Sequence, residues 1–146
     1  MALLKIYTNN PTAAGTDGTE VSENGAQTMP ISASLVVTSS VGASEAIKLA
    51  ARCDSGYQTT GNVVLKFVDS TGTDYTSTNY KLAEDNNYSS ATDALENASW
   101  VDSVTITSVV DATNTIFWAK LSAPAGATPA NDTSISLFHS ETIEAV

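Results

Sequence analysis

A chain of 146 residues with 42% apolar side chains is long enough for one domain with a core of its own. Its 16 acidic and 6 basic residues give a net charge of −10. The basic residues (Lys5, Lys48, Arg52, Lys66, Lys81, Lys120) form no run, which argues against nucleic-acid partners and anionic membrane surfaces. A lone cysteine, Cys53, excludes an internal disulfide, and a lone histidine, His139, excludes a multi-histidine metal site within one chain.

The chain opens with a short β-like run, Leu3 to Tyr7, which meets polar Thr8-Asn9-Asn10 at once. It lacks the apolar centre of a secretory leader, and no stretch reaches the roughly 18 apolar residues of a membrane span. Synthesis in a cytoplasm without a signal peptide, and no membrane insertion, are the expectations. Thr8 to Pro30 carries Asn10-Pro11, Ala14-Gly15, Asp17-Gly18 and Asn24-Gly25 with only scattered apolar residues. Asp17-Gly18 suits a small hairpin turn. Residues 1–30 therefore read as an N-terminal strand with an arm or surface loop, and 31–146 as the β-domain. Leu3, Leu4, Ile6 and Tyr7 are the candidate interaction residues. A terminal strand pairs either within its own domain or, by strand addition, with another copy or another protein.

From Ile31 onward, short segments alternate between apolar and polar residues. Ile31, Ala33, Leu35 and Val37 alternate with Ser32, Ser34, Val36 and Thr38. Glu45 to Cys53 alternates too, with Ile47, Leu49, Ala51 and Cys53 on one face. Ala43 to Arg52 has respectable helix propensity, but the period of two favours a strand. Val63, Leu65 and Phe67 define another strand, ended by Asp69-Ser70-Thr71-Gly72. Thr73 to Leu82 is a looser candidate. Ser90 followed by Asp93 predicts a capped helical turn within 84–99. Trp100 is expected to open a long strand carrying Val104, Ile106 and Val110 on its face. A turn at 111–114 then leads to a strand over 115–122, the two forming a hairpin with both tryptophans largely buried. That last strand has Ile116 and Trp118 on one face and Phe117, Ala119 and Leu121 on the other, which suits a central position. Thr133 to His139 closes the domain with Ile135 and Leu137 inward. The whole reads as an all-β, two-sheet antiparallel sandwich.

Catalytic equipment is sparse. There is no Gly-x-Ser-x-Gly elbow, no phosphate loop and no dinucleotide fingerprint. His139 reads as a solvated edge residue and Cys53 as a small buried hydrophobe. Asp54, Glu84, Asp85 and Asp102 supply carboxylates without any pairing signal. Asp69 to Asp74 resembles the start of a calcium loop. However, Asp74 stands where the turn glycine belongs and Tyr80 where the bidentate glutamate belongs, so a hairpin turn is expected and no metal or cofactor. Tyr75, Tyr80 and Tyr88 would make a sugar-stacking platform only if one face held all three. A carbohydrate- or surface-binding module, with a surface glycan as partner, is the alternative function.

Val41-Gly42-Ala43-Ser44-Glu45-Ala46-Ile47-Lys48-Leu49, the Gly56-Tyr57 turn, Asn114-Thr115-Ile116-Phe117-Trp118-Ala119-Lys120 and Asn131-Asp132-Thr133-Ser134-Ile135 carry a pattern-level resemblance over about residues 31–139. They resemble small Ig-like β-sandwich proteins encoded in bacteriophage structural modules. The resemblance implies a non-enzymatic virion component, a decoration, tail or fibre-associated protein. Its partners would be other virion proteins and itself.

Overall fold

Strand propensity and period two dominate the chain, and strands dominate the fold. The computed structural model describes residues 2–23 and 28–146. In chain order, the described elements are β1 (Leu4–Thr8), β2 (Thr19–Glu20), β3 (Ala43–Cys53), β4 (Tyr57–Thr59), β5 (Val63–Val68), β6 (Tyr80–Glu84), α1 (Ala91–Asn97), β7 (Ser103–Ile106), β8 (Thr115–Ala123), β9 (Ser136–Ser140) and β10 (Ile143–Ala145). They form a five-stranded sheet in the order β2-β1-β3-β8-β6, a three-stranded sheet β7-β5-β9 and a ribbon β10-β4. Every ladder is antiparallel.

The helix–strand ambiguity at 43–52 resolves as a strand. β3 pairs with β8 from Ala43↔Ala123 to Ala51↔Thr115, and with β1 from Leu4↔Cys53 to Tyr7↔Ala50. Successive side chains of a strand point to opposite faces. Leu4, Ile6, Leu49, Ala51, Cys53, Leu82, Phe117 and Ala119 thus face inward onto Val63, Leu65, Phe67, Val104 and Ile106 of the second sheet. Tyr7, Ala46, Ala50, Ala83, Ile116 and Trp118 face outward, where Ala94 of α1, Tyr88, Leu95 and Trp100 cover them. β8 is central, flanked by β3 and β6. The predicted helical turn is α1, with the Ser90 hydroxyl accepting from the Asp93 N–H and Asp93 in the first turn.

Four expectations are revised. Residues 103–106 alone form β7, and Trp100 lies outside it, half-buried on the outer face of the other sheet rather than beside Val104 and Ile106. Its indole N–H donates to the Leu95 carbonyl. β7 and β8 do not form a hairpin, since β7 pairs with β5 and β8 with β3 and β6. The connection crosses between sheets. It is pinned where Thr59 and Val110 exchange backbone and hydroxyl hydrogen bonds and where the Cys53 N–H donates to the Asp111 carbonyl at 2.8 Å. The loose candidate at 73–82 yields a ladder strand only from Tyr80. Finally, Ile31–Thr38 has the burial alternation of a strand but belongs to no ladder.

Residues 2–23 are not separate from the domain, while the turn expected at Asn24-Gly25 lies outside the described residues. β1 lies inside the five-stranded sheet, with Leu4 fully buried. The following loop is bound by Asn114, itself 4% exposed. Its side-chain N–H groups donate to the Thr12 and Asp17 carbonyls and to the Asp17 carboxylate, while its Oδ1 accepts from Arg52. Its backbone exchanges hydrogen bonds with Ala14 and Gly15. Thr19–Glu20 consequently pairs with β1 rather than closing a hairpin of its own.

The two tryptophans should differ in energetic weight. Trp118 is 2% exposed and donates its indole N–H to Asp85 at 2.9 Å, so Trp118→Ala should destabilise by about 3–5 kcal/mol in urea titrations. Trp100→Ala should lose clearly less; equal losses would show that the outer cover holds both indoles alike. Asn114→Ala should cost about 1–3 kcal/mol, because partners are left unsatisfied in a buried position.

Candidate interaction surface

The titratable side chains are committed mostly to architecture. Asp69, Asp111 and Asp132 repeat one arrangement, in which one carboxylate oxygen accepts both the backbone N–H and the hydroxyl of the Thr or Ser two residues on. Asp17 accepts the Thr12 N–H on one carboxylate oxygen and the Thr12 hydroxyl on the other, across a wider turn, and Asp93 accepts from the Ser89 N–H and the Asn97 side chain. These donors favour the charged form and hold all five carboxyls below the usual aspartate range. The calcium-like segment is such a turn. Asp69 also accepts from the Thr73 N–H, and Asp74 pairs with Lys66.

The other candidates are dispersed. Asp54 pairs with Lys5 and Asp102 with Lys81, while Asp85 holds Trp118. His139 stands on β9 with Nδ1 2.8 Å from Glu141. Cys53 is buried, and burial pushes its thiol up to about 11. Burial likewise raises the Tyr80 phenol, helped by its hydrogen bond to Asp132. Tyr75 and Tyr80 meet edge-to-face against the inner core, whereas Tyr88 meets Trp118 on the outer face. The three tyrosines therefore share no platform. Among the described residues, no three His, Cys, Asp or Glu side chains gather as a metal site, and no helix is long and apolar enough to cross a membrane.

Strand alternation has one electrostatic consequence that the linear sequence hides. Lys5, Lys48, Arg52, Lys81 and Lys120 all take outward positions on the five-stranded sheet, out of register with its inward residues. Lys5 stands opposite Arg52 and Lys81 opposite Lys120. Such like-charge pairs repel, and each is relieved locally. Lys5 has Asp54 and Glu20, Arg52 stacks on Tyr7, Lys81 has Asp102, and Lys120 lies over Trp100. Lys48 lines an open cleft of about 520 Å³ with Thr8, Asn9, Ser32, Ser89 and Trp118. Of the two aromatic residues that line the cleft, Trp118 is buried and Tyr88 is half-buried.

The sequence-derived interaction residues are largely internal. Leu4, Ile6 and Tyr7 are buried, Leu3 is half-buried with its carbonyl accepting from the Asp54 N–H, and β1 pairs within its own sheet. The open strand edge lies elsewhere. Over Ile31–Val37, alternate residues are half-buried and exposed, with Ile31 packed against the inner core and Val36 84% exposed. Among the described residues, no hydrogen bond reaches the backbone of this segment; the first forms at Thr38, which donates to Val41 and accepts from Gly126. On the adjoining β3, the ladder to β1 covers only Ala50–Cys53, and among the described residues no partner strand lies on that side of Ala43–Leu49. The alternation was readable in the sequence, but the missing ladder was not, because pairing is a property of neighbours and not of the strand itself.

No family model matches the chain, and no curated protein or solved structure matches it either.

The turn-closing aspartates set an acid limit on stability. Their folded pKa values lie below the ordinary value of 3.8. Their contribution is therefore present above about pH 4 and is lost as pH falls through the folded values, where the unfolded chain binds more protons. Melting temperature should hold from neutral pH to about pH 4 and then fall. Asp111→Asn should make that acid fall shallower; an unchanged slope would show that the turn does not carry it. Cys53 should resist alkylation in the native state and react on unfolding, as a thiol-reactive dye with and without urea would show.

Proposed function

We propose that this protein is a non-enzymatic structural component of a bacteriophage virion, an Ig-like β-sandwich that decorates the particle or associates with its tail or fibres. The observation that carries this reading is the unpaired strand at Ile31–Val37 on a domain whose buried side-chain polar atoms are otherwise satisfied among the described residues. Backbone donors and acceptors open along a strand are a means of protein contact. The acidic and hydroxyl-bearing residues that might suggest chemistry are engaged in closing turns. Two sheets with a shared core and the motifs around Val41–Leu49 and Asn114–Lys120 support the resemblance to phage sandwich proteins. The glycan-binding alternative loses its main support, because Tyr75, Tyr80 and Tyr88 lie on two different faces.

Gradient-purified particles from the parent phage test the reading. The chain should co-sediment with particles in stoichiometric amount by mass spectrometry, and its gene should lie among those for terminase, portal or tail proteins. Recovery only in the particle-free fraction would overturn the proposal.

A further inference from the structure

We infer that Ile31–Val37 is a homotypic edge, along which a second copy of this chain adds antiparallel about a two-fold axis at Ser34. The inference deepens the structural reading by naming the partner of its open strand.

Three observations converge on it. First, the segment already sorts its side chains as a paired strand does, with Ile31, Ala33, Leu35 and Val37 half-buried and Ser32, Ser34 and Val36 exposed, yet its backbone makes no hydrogen bond among the described residues. Second, the edge is unguarded. Natural edge strands are commonly protected by charge or proline, but residues 24–44 contain no Asp, Glu, Lys, Arg or His, and no proline follows Pro30 before β3. Third, electrostatics selects the occupant. At net charge −10, two copies repel across most approaches. A basic partner would be drawn to the acidic surfaces instead, whereas this uncharged strip is where an equally acidic copy meets no like charge.

Centring on Ser34 keeps like with like. Ile31 then faces Val37 and Ala33 faces Leu35 on the half-buried side. On the exposed side Ser32 faces Val36, giving the exposed valine a neighbour. Seven opposed residues form roughly seven backbone hydrogen bonds, one per residue pair on average. A closed two-fold contact consumes the edge and stops at the dimer.

The register makes the test specific, because Ser34 opposes itself. Sedimentation velocity and native mass spectrometry of the full chain should show a concentration-dependent dimer. Ser34→Lys and Ser34→Glu should each weaken dimerisation by roughly fivefold or more, with like charges directly opposed. An equimolar mixture of the two variants should restore a mixed dimer. Ser34 is exposed, so both variants should melt as the parent does at low concentration. Hydrogen exchange over Ile31–Val37 should slow as concentration rises. A parent chain that stays monomeric at millimolar concentration overturns the inference, as do variants that each dimerise undiminished or a mixture that fails to recover. Protection of these amides independent of concentration also overturns it, since the segment would then close on Ala43–Leu49 of its own chain. Particle incorporation is scored without reference to dimers, so the virion reading and this one fail separately.

Discussion

The fold depends on the pairing of β3 with β8. Nine residue pairs, Ala43↔Ala123 to Ala51↔Thr115, fix one register, and both strands bury apolar side chains on both faces. A slip of one residue would exchange the faces of one strand. Phe117 and Ala119 would turn outward, and Lys120 would point at the inner core. The pair thus sets the inner core shared with the second sheet and the outer cluster under α1, and it gives β1 and β6 their flanking positions. The small residues Ala46, Ala50 and Ala83 on the outer face let α1, itself only seven residues long, approach closely enough to bury Ala94.

Charge is distributed by the same alternation. A chain with so few cations places five of them on one sheet face, where opposed Lys5–Arg52 and Lys81–Lys120 pairs would repel if left alone. The relief comes from Asp54, Asp102 and Trp100 of neighbouring connections and from Tyr7 of β1. Meanwhile much of the acidic excess is turned to structural use. An aspartate followed two residues later by Thr or Ser supplies its own donors, so the same short device shapes the turns at Asp69, Asp111 and Asp132. The acidity of the chain is thus in part a feature of turn chemistry.

What the sequence showed and what it hid divide along local and non-local lines. β3, β5, β8 and α1 were legible because period two, β-branched residues and a Ser90–Asp93 cap are written within a few residues. The central place of β8 followed from its two apolar faces. Trp100 was misplaced because alternation was extended through Val101 and Asp102, where Leu82 and Val101 exchange backbone hydrogen bonds and the chain passes from one sheet to the other. Asn114 gave no signal, since a buried amide is recognised by its partners at Thr12, Asp17 and Arg52, remote in sequence. Residues before 31 looked like an arm for the same reason. The turn dipeptides between Asn10 and Gly18 carry no hint of the amide that holds that loop.

The contrast between the two N-terminal strand-like runs locates the available edge. From the sequence, Leu3–Tyr7 is open to pairing within its own domain or with another chain, and β1 is enclosed by β2 and β3. Ile31–Val37 reads as an ordinary first strand of the domain, and among the described residues it has no ladder. A local pattern in full agreement with strand structure, set in a global context that leaves it unpaired, is a conflict between levels, and such conflicts concentrate at functional sites. Here the conflict is confined to a stretch without charge, in a chain otherwise rich in acid. Water can satisfy the open backbone groups, so the monomer need not be strained. What water does not satisfy is the exposed Val36 beside them, and burial of that side chain together with a completed ladder is the free-energy gain that a partner strand provides.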